Sequence, residues 1–312
     1  MKRLVLFLAA LLLLSAGPAR AAGKILNISY VKSPFNLQMI VMKERGLLEK
    51  RLNPLGLTVN WPEIDSGAKQ ALALASGDLD VAGVINTTSV LMANGEGNPV
   101  RIIAGVARPV DVFALVARKD GATSIKELKG KTVAGPKGTV LHQLLAAALA
   151  KEGLSMDDVA FIQMDIPAAF AALHSGRADA ALLAANMVIK ARQEGARVLT
   201  TADGLVVPKL VMATSEALSK SRPEELAAVI KAHDEAWNWI AANHDEAIAL
   251  GAKIQGITIE EAEQLFRWSH FTQRCAPEDI ASMRDDMRFM LDTGMMRNET
   301  DVESLFLPQA FE

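Results

Sequence analysis

The sequence predicts an α/β fold in two lobes of like build. Three observations carry that prediction. Strands and helices alternate through the first two thirds of the chain, a helix–stop–acidic turn–strand unit recurs at an offset of 99 residues, and the chain from Ser221 onward reads almost entirely as helix. Alternation of this kind argues for parallel sheets flanked by helices.

The elements follow in order. Lys2 and Arg3 precede an unbroken apolar run of 11 residues, Leu4 to Leu14, which Gly17 and Pro18 break. Ala19-Arg20-Ala21 then supplies small residues at the spacing of a cleavage site, so residues 1–21 read as a secretory signal peptide cleaved near Ala21. A membrane anchor needs roughly 18 or more apolar residues. Loss of Lys2, Arg3 and Arg20 takes the formal charge from −3 to −6. No basic run or basic–aromatic stripe is present, which argues against a nucleic-acid partner. The one cysteine, Cys275, leaves no internal disulfide to form and reads as structural.

After the leader, Ile25 to Val31 reads as a strand, and a helix runs to Arg45 with Gly46 as its stop. Leu57 to Ile64, Val81 to Ile85, Val100 to Val106 and Val112 to Arg118 read as strands, with helices over Ala68 to Ser76 and Ser89 to Asn94. The pattern restarts with a strand at Thr132 to Ala134 and a helix at Val140 to Lys151. Strands at Val159 to Gln163, Ala178 to Leu183, Arg197 to Thr200 and Lys209 to Thr214 follow, with helices ending at His174 and Glu194. In the helical tail, Ser221-Arg222-Pro223-Glu224 and Thr258 with Glu261 read as capping boxes, and Asn243 is placed to cap the helix from His244.

The recurrence is specific. Leu74, Ser76, Gly77 and Asp80 return as Leu173, Ser175, Gly176 and Asp179; Asp65 and Asp165 precede the two helices, and Asn86 and Asn186 follow the two strands. Chance similarity among alanine-rich units competes with duplicated lobes, each offering polar loops at its strand ends. Open α/β sheets bind ligands at the carboxyl ends of strands, beside helix N-termini.

Several stretches, in order, resemble the periplasmic binding proteins of the nitrate/sulfonate/taurine group of ABC importers, with their thiamine-precursor relatives. They are Gly46-Leu47-Leu48-Glu49, Ala71 to Ala82, Ile125 to Ala134, Gly138-Thr139-Val140 and Ala242 to Ala247. The resemblance implies a type II-like two-lobed fold with two crossover strands and a helical C-terminal tail. Lobe 1 would hold 22–107 and 211–312, and lobe 2 would hold 108–210. It also implies a periplasmic receptor that closes by a hinge on a small anionic or organic ligand (a sulfonate, nitrate or carboxylate). A permease and an ATPase would be its partners, the chain itself being a monomer without cofactor.

The cleft loops can be named. In lobe 1 they are Ser33, Pro34, Phe35 and Asn36, then Ser66 and Gly67, then Asn86, Thr87 and Thr88; in lobe 2 they are Lys137, Gly138 and Thr139, then Asn186 after Ala185. Each leads into a helix, whose unpaired N–H groups and positive end favour anions. The same residues can merely cap their helices. Phe35 suits either the wall of an organic ligand or a staple on the first helix. Asp111, beside the expected hinge, suits a ligand amine or a turn cap, and Lys137 suits the site or the solvent. Arg274 in the tail suits an anion or a surface pair. No arginine lies in the first-lobe loops.

Other signals fail. Gly130-Lys131-Thr132 lacks the glycine of a phosphate loop, since position 125 is isoleucine. His233 and His244 stand at no zinc spacing, no Gly-x-Ser-x-Gly elbow occurs, and His142 has no nucleophile beside it in sequence. Two alternatives remain at this point: a biosynthetic enzyme on the same fold, of the thiamine-pyrimidine or menaquinone-precursor type, and the sensor subunit of a signalling system.

Overall fold

The computed structural model describes residues 24–31 and 35–312, so the predicted leader, Ser33 and Pro34 lie outside the described residues. Among the described residues, ten strands and the helices between them build two sheets of matching order, the first made of a two-stranded and a three-stranded ladder joined by a bridge. In the first, β1 (Lys24–Asn27) pairs in parallel with β2 (Leu57–Asn60). The Ile28–Val81 bridge sets β1 beside β3 (Val81–Asn86), and β10 (Leu210–Ser215) lies antiparallel between β3 and β4 (Val100–Ala107). The second sheet runs β7 (Ala160–Gln163), β6 (Thr132–Gly135), β8 (Ala180–Ala184), β5 (Phe113–Ala117), β9 (Arg197–Thr201). Here β6 is parallel to β7 and β8, and β5 is antiparallel to β8 and β9. The alternation of strands and helices argued for parallel sheets, and the family resemblance implied two crossover strands. Each sheet takes one reversed strand from a crossover, β5 after β4 and β10 after β9. Hydrophobic periodicity carries no information on strand direction.

The strands are short and apolar because both faces are covered: β3, β5 and β8 are buried at every position. In the first lobe the cover is α1 (Leu37–Glu44), α2 (Leu47–Leu52), α3 (Gly67–Ser76) and α4 (Thr87–Gly95). In the second it is α5 (Val140–Lys151), α6 (Ile166–His174) and α7 (Asn186–Gln193). The tail supplies α8 (Glu216–Ser221), α9 (Pro223–Ala242), α10 (His244–Gln255), α11 (Ile259–Ser269) and α12 (Pro277–Asp292). α9 packs on α1 and α2, and α12 on α4, so the tail completes the first lobe. No helix among the described residues is long and apolar enough to cross a membrane.

The recurrence in sequence is a structural device. Gly77 and Gly176 end α3 and α6 in the left-handed region, at φ 81° and 73°. The acidic residue that follows then clamps the neighbouring strand. Asp80 N–H donates to Asn27 O (2.9 Å) while its Oδ2 accepts from Asn27 N–H (2.8 Å); Asp179 does the same with Thr132, at 2.9 and 3.0 Å. Each carboxylate also meets an arginine, Asp80 with Arg222 and Asp179 with Arg118. The acidic turns therefore lie at the amino ends of β3 and β8, and the polar residues Asn86 and Asn186 follow their carboxyl ends.

Two capping assignments need correction. α8 already occupies Glu216–Ser221, so Ser221 Oγ donates to Ala217 O (2.9 Å) instead of capping, and Arg222 precedes α9 with Pro223 at its start. Asn243 does separate α9 from α10, but its Nδ2 donates backwards to Trp239 O (2.9 Å) and its side chain caps nothing. The Thr258–Glu261 capping box is formed as read.

His233 sits in α9 with no exposed surface and no partner for either ring nitrogen. Burial, opposed by Asp234 and aided by Arg274, lowers its pKa to about 4. Burial and Lys137 take His142 to about 4 as well. Between pH 6.5 and 4 the unfolded chain binds protons that the native state refuses, so stability falls on acidification. Each group loses about 1.4 kcal/mol per pH unit across that window. Urea midpoints should therefore drop steeply from pH 7 to pH 4.5, and His233→Leu should flatten part of that slope.

Candidate functional site

Between the two sheets lies a cavity of about 50 Å³, and four helix starts line it. They are Ser66 and Gly67 at α3, Asn86 at α4, Thr139 and Val140 at α5, and Asp165 to Pro167 at α6. Each follows the carboxyl side of a strand, where the chain must turn into its helix. Val31, Val84, Phe113, Leu141 and Leu210 add apolar wall. Phe113 and Leu210 open the two crossover strands, so the crossovers line the cavity.

The helix starts differ in what they leave available. At α4, Asn86 Oδ1 accepts from Ser89 N–H (2.9 Å), and its Nδ2 makes no hydrogen bond among the described residues. At α3 and α5 the capping positions are Ser66 and Thr139, yet neither side chain caps; Thr139 Oγ1 donates to Pro136 O (3.0 Å). The first-turn N–H groups of these two helices are thus left without side-chain acceptors, beside a cavity they line. At α6, Pro167 removes one donor, and Asp165 pairs with Lys69 of α3 across the gap (2.7 Å). Among the described residues no lysine, arginine or histidine lines the cavity, and Asp65 and Asp165 do. Positive potential there comes from the helix ends.

The two sides touch beyond that ion pair. Ser89 Oγ donates to Gly138 O (2.8 Å) and Thr88 Oγ1 to Gln143 Oε1 (2.6 Å). A Cβ placed on Gly138 would lie 3.6 Å from Met92 Cε and 3.7 Å from Ala68 Cβ.

Of the residues singled out in the sequence, Ser66, Gly67, Asn86 and Thr139 line the cavity. The others are placed elsewhere, and each has a local reason. Phe35 is buried against α10, where a Cβ on Gly251 would meet its Cζ at 2.7 Å, and it packs near Phe271; it is a core staple and forms no wall of the cavity. Asn36 Nδ2 donates to Val31 O (3.1 Å). Thr87 is buried with its N–H on Lys209 O, Thr88 is engaged by Gln143, and Gly138 by Ser89. Lys137 is exposed and borders a separate crevice with His142, whose ring packs on Phe161 and whose Nδ1 accepts from Gly138 N–H (3.5 Å). Asp111 stands in the first crossover, off the cavity. Arg274 is held by both oxygens of Asp234, at 2.7 and 2.9 Å.

Asn186 is buried but does not line the cavity, and its Oδ1 has no partner. The residue before it, Ala185, is held at φ 50°, ψ −124°, a conformation suited to glycine. Strain of this kind costs about 1–3 kcal/mol. Ala185→Gly should raise stability by about 1 kcal/mol once glycine's greater unfolded-state entropy is subtracted, read as an increase in Tm.

Residues that the sequence reading did not select include Phe113, Leu210, Gln70 and the α6 start. A signal for the last existed, because Asp65 and Asp165 were matched in the recurrence and were read only as preludes to helices. Among the described residues no group of three or more His, Cys, Asp or Glu side chains is placed to hold a metal ion.

The chain is similar to several known proteins. A Bacillus subtilis (strain 168) protein assigned to aliphatic sulfonate binding is 25% identical over 295 residues, covering 88% of this chain and 85% of that one. The taurine-binding periplasmic protein of Escherichia coli (strain K12) is 29% identical over 212 residues, 65% of each chain. The alkanesulfonate-binding protein of Xanthomonas axonopodis pv. citri, solved with MOPS bound, superposes with a TM-score of 0.79 at 21% identity, covering 91% of this chain and 98% of that one. The fold is thus that of the periplasmic binding proteins, two-lobed with two crossover strands and a helical tail. Residues 38–247, more than half of the chain, match the family model described as NMT1/THI5 like, and the chain belongs to that family.

Proposed function

We propose that this chain is the exported solute-binding receptor of an ABC importer, taking a small organic solute that carries an oxyanion group such as a sulfonate or carboxylate. The observation that carries the reading is the convergence of four helix starts on one cavity between the sheets, three of them without side-chain caps. The oxyanion would take the first-turn N–H groups of α3 and α5 and the Nδ2 of Asn86. The organic part would pack on Val31, Val84, Phe113 and Leu210. The lobes would be 22–107 with 211–312, and 108–210, closing about the 108–112 and 202–209 crossovers. Cleavage near Ala21 would release the receptor as a monomer, and its partners would be a permease and an ATPase. The relatives described as binding proteins support a receptor over an enzyme. So does Cys275, which lies outside the cavity with its thiol pushed up to about 12, chiefly by burial.

The test is a thermal-shift and calorimetric panel on the mature protein with taurine, methanesulfonate, nitrate, sulfate and short carboxylates. Saturable one-to-one binding of one class is expected, with Tm rising by roughly 5 °C at a hundredfold excess over Kd. A flat response to the whole panel would sink the oxyanion assignment.

A further inference from the structure

One buried polar chain touches no part of the cavity wall except through the helices it joins. Thr88 Oγ1 in α4 donates to Gln143 Oε1 in α5 (2.6 Å), and Gln143 Nε2 donates to Asp286 Oδ1 in α12 (2.7 Å). Asp286 Oδ2 accepts from Lys209 Nζ (3.2 Å), and Lys209 also donates to Val207 O (3.0 Å). Thr88 and Gln143 are each 2% exposed and Lys209 3%. The chain therefore connects the first lobe, the tail and the second crossover to a single residue of the second lobe.

We propose that Gln143 is a positioning residue, pinned by Asp286 and Thr88, that sets how far the two lobes stay closed and hence how tightly the solute is held. This rests on the receptor reading above. Gln143 lies one helical turn beyond Thr139 and Val140, which line the cavity, so fixing its amide fixes the start of α5 against α4. Asp286 and Lys209 stay together whether or not α5 moves, because both belong to the tail and crossover side. Gln143 is the removable part. Its bond to a carboxylate is charge-assisted and made in a buried setting, so separating the lobes exchanges a strong bond for water. Apparent affinity falls in proportion to the closed fraction, so loss of the pin weakens binding without any change in what touches the solute.

The experiment uses the mature protein, with taurine or methanesulfonate as probe, and compares wild type with Gln143→Leu, Thr88→Val and Thr88→Ser. Small-angle scattering of the probe-free protein should show a larger radius of gyration for Gln143→Leu and Thr88→Val, returning to the wild-type value at saturating probe. Probe affinity should fall about tenfold in both. Thr88→Ser, which keeps the hydroxyl, should match wild type, and the double variant Thr88→Val/Gln143→Leu should be no weaker than Gln143→Leu alone. If Gln143→Leu does not fold, Thr88→Val carries the test. Unchanged scattering together with affinity within twofold of wild type would overturn the proposal. If no probe binds wild type, the oxyanion assignment has failed for that probe, and the probe-free scattering alone decides the pin.

Discussion

Gly67→Ala is expected to cost at least a hundredfold in solute affinity and to lower Tm by several degrees. A Cβ at this position would sit 2.5 Å from Asn86 Nδ2, 2.7 Å from Ser89 Oγ and 3.2 Å from Ser89 Cβ. Neither neighbour can retreat freely. Asn86 caps α4 through Ser89 N–H, and Ser89 Oγ reaches across to Gly138 O. The methyl would displace the cap, worth about 1 kcal/mol, and add overpacking of about 1–3 kcal/mol. It would also intrude beside a cavity of only about 50 Å³ and displace the Asn86 side chain that lines it. Calorimetric titration gives the affinity and thermal melts give the stability. Affinity near wild type in Gly67→Ala would show that the solute does not use this end of the cavity.

Arg222→Ala is expected to be the most destabilising single change to a charged residue, at about 3–5 kcal/mol. Arg222 lies between Asp80 and Glu225, its side chain 14% exposed and theirs 11% each, and Lys24 also bonds Glu225 at 2.8 Å. Burial would raise the Glu225 pKa, yet the bonds from Arg222 and Lys24 outweigh it and hold the group below its ordinary value. Without the guanidinium, two poorly hydrated carboxylates face each other, and Asp80 must still clamp β1. The second lobe provides an internal comparison. Arg118 meets Asp179 in the equivalent turn at 3.2 Å, but their side chains are 46% and 26% exposed. Arg118→Ala should therefore cost no more than about 1 kcal/mol. Urea denaturation of both variants checks the contrast. Because the Glu225 pKa is depressed in the native state, its contribution is present above the ordinary carboxylate range and fades as pH falls through it.

Much of the architecture was legible because its signals are local. Glycine stops, capping residues and apolar runs marked nearly every element, and α5 begins and ends where the sequence placed it, at Val140 and Lys151. Strand direction was not legible, since β5 and β10 read like their neighbours and only the crossovers reverse them. In the candidate site, Ser66, Gly67, Asn86 and Thr139 were found because a polar residue between strand and helix is a local pattern. Thr88 and Gly138 have the same pattern, but each is consumed by a bond to the opposite lobe. Such bonds depend on how two separate sheets approach. Phe113 and Leu210 reach the cavity for the same reason, as ordinary apolar residues placed there by topology. Phe35 was open to two readings, and its contact with Gly251 decides for packing.

The placement of β10 has a consequence for how the protein is made. A nascent chain that has emerged as far as Thr201 holds every strand of the second sheet, from β5 to β9. The first sheet at that moment lacks the strand between β3 and β4, which are joined only through β10, ending at Ser215. The half synthesised first is thus the half that must wait, held back by its long-range pairing and by the tail helices still to come. For an exported receptor of the kind proposed above, that order would be useful. Its first sheet would stay incomplete until β10 has been translated.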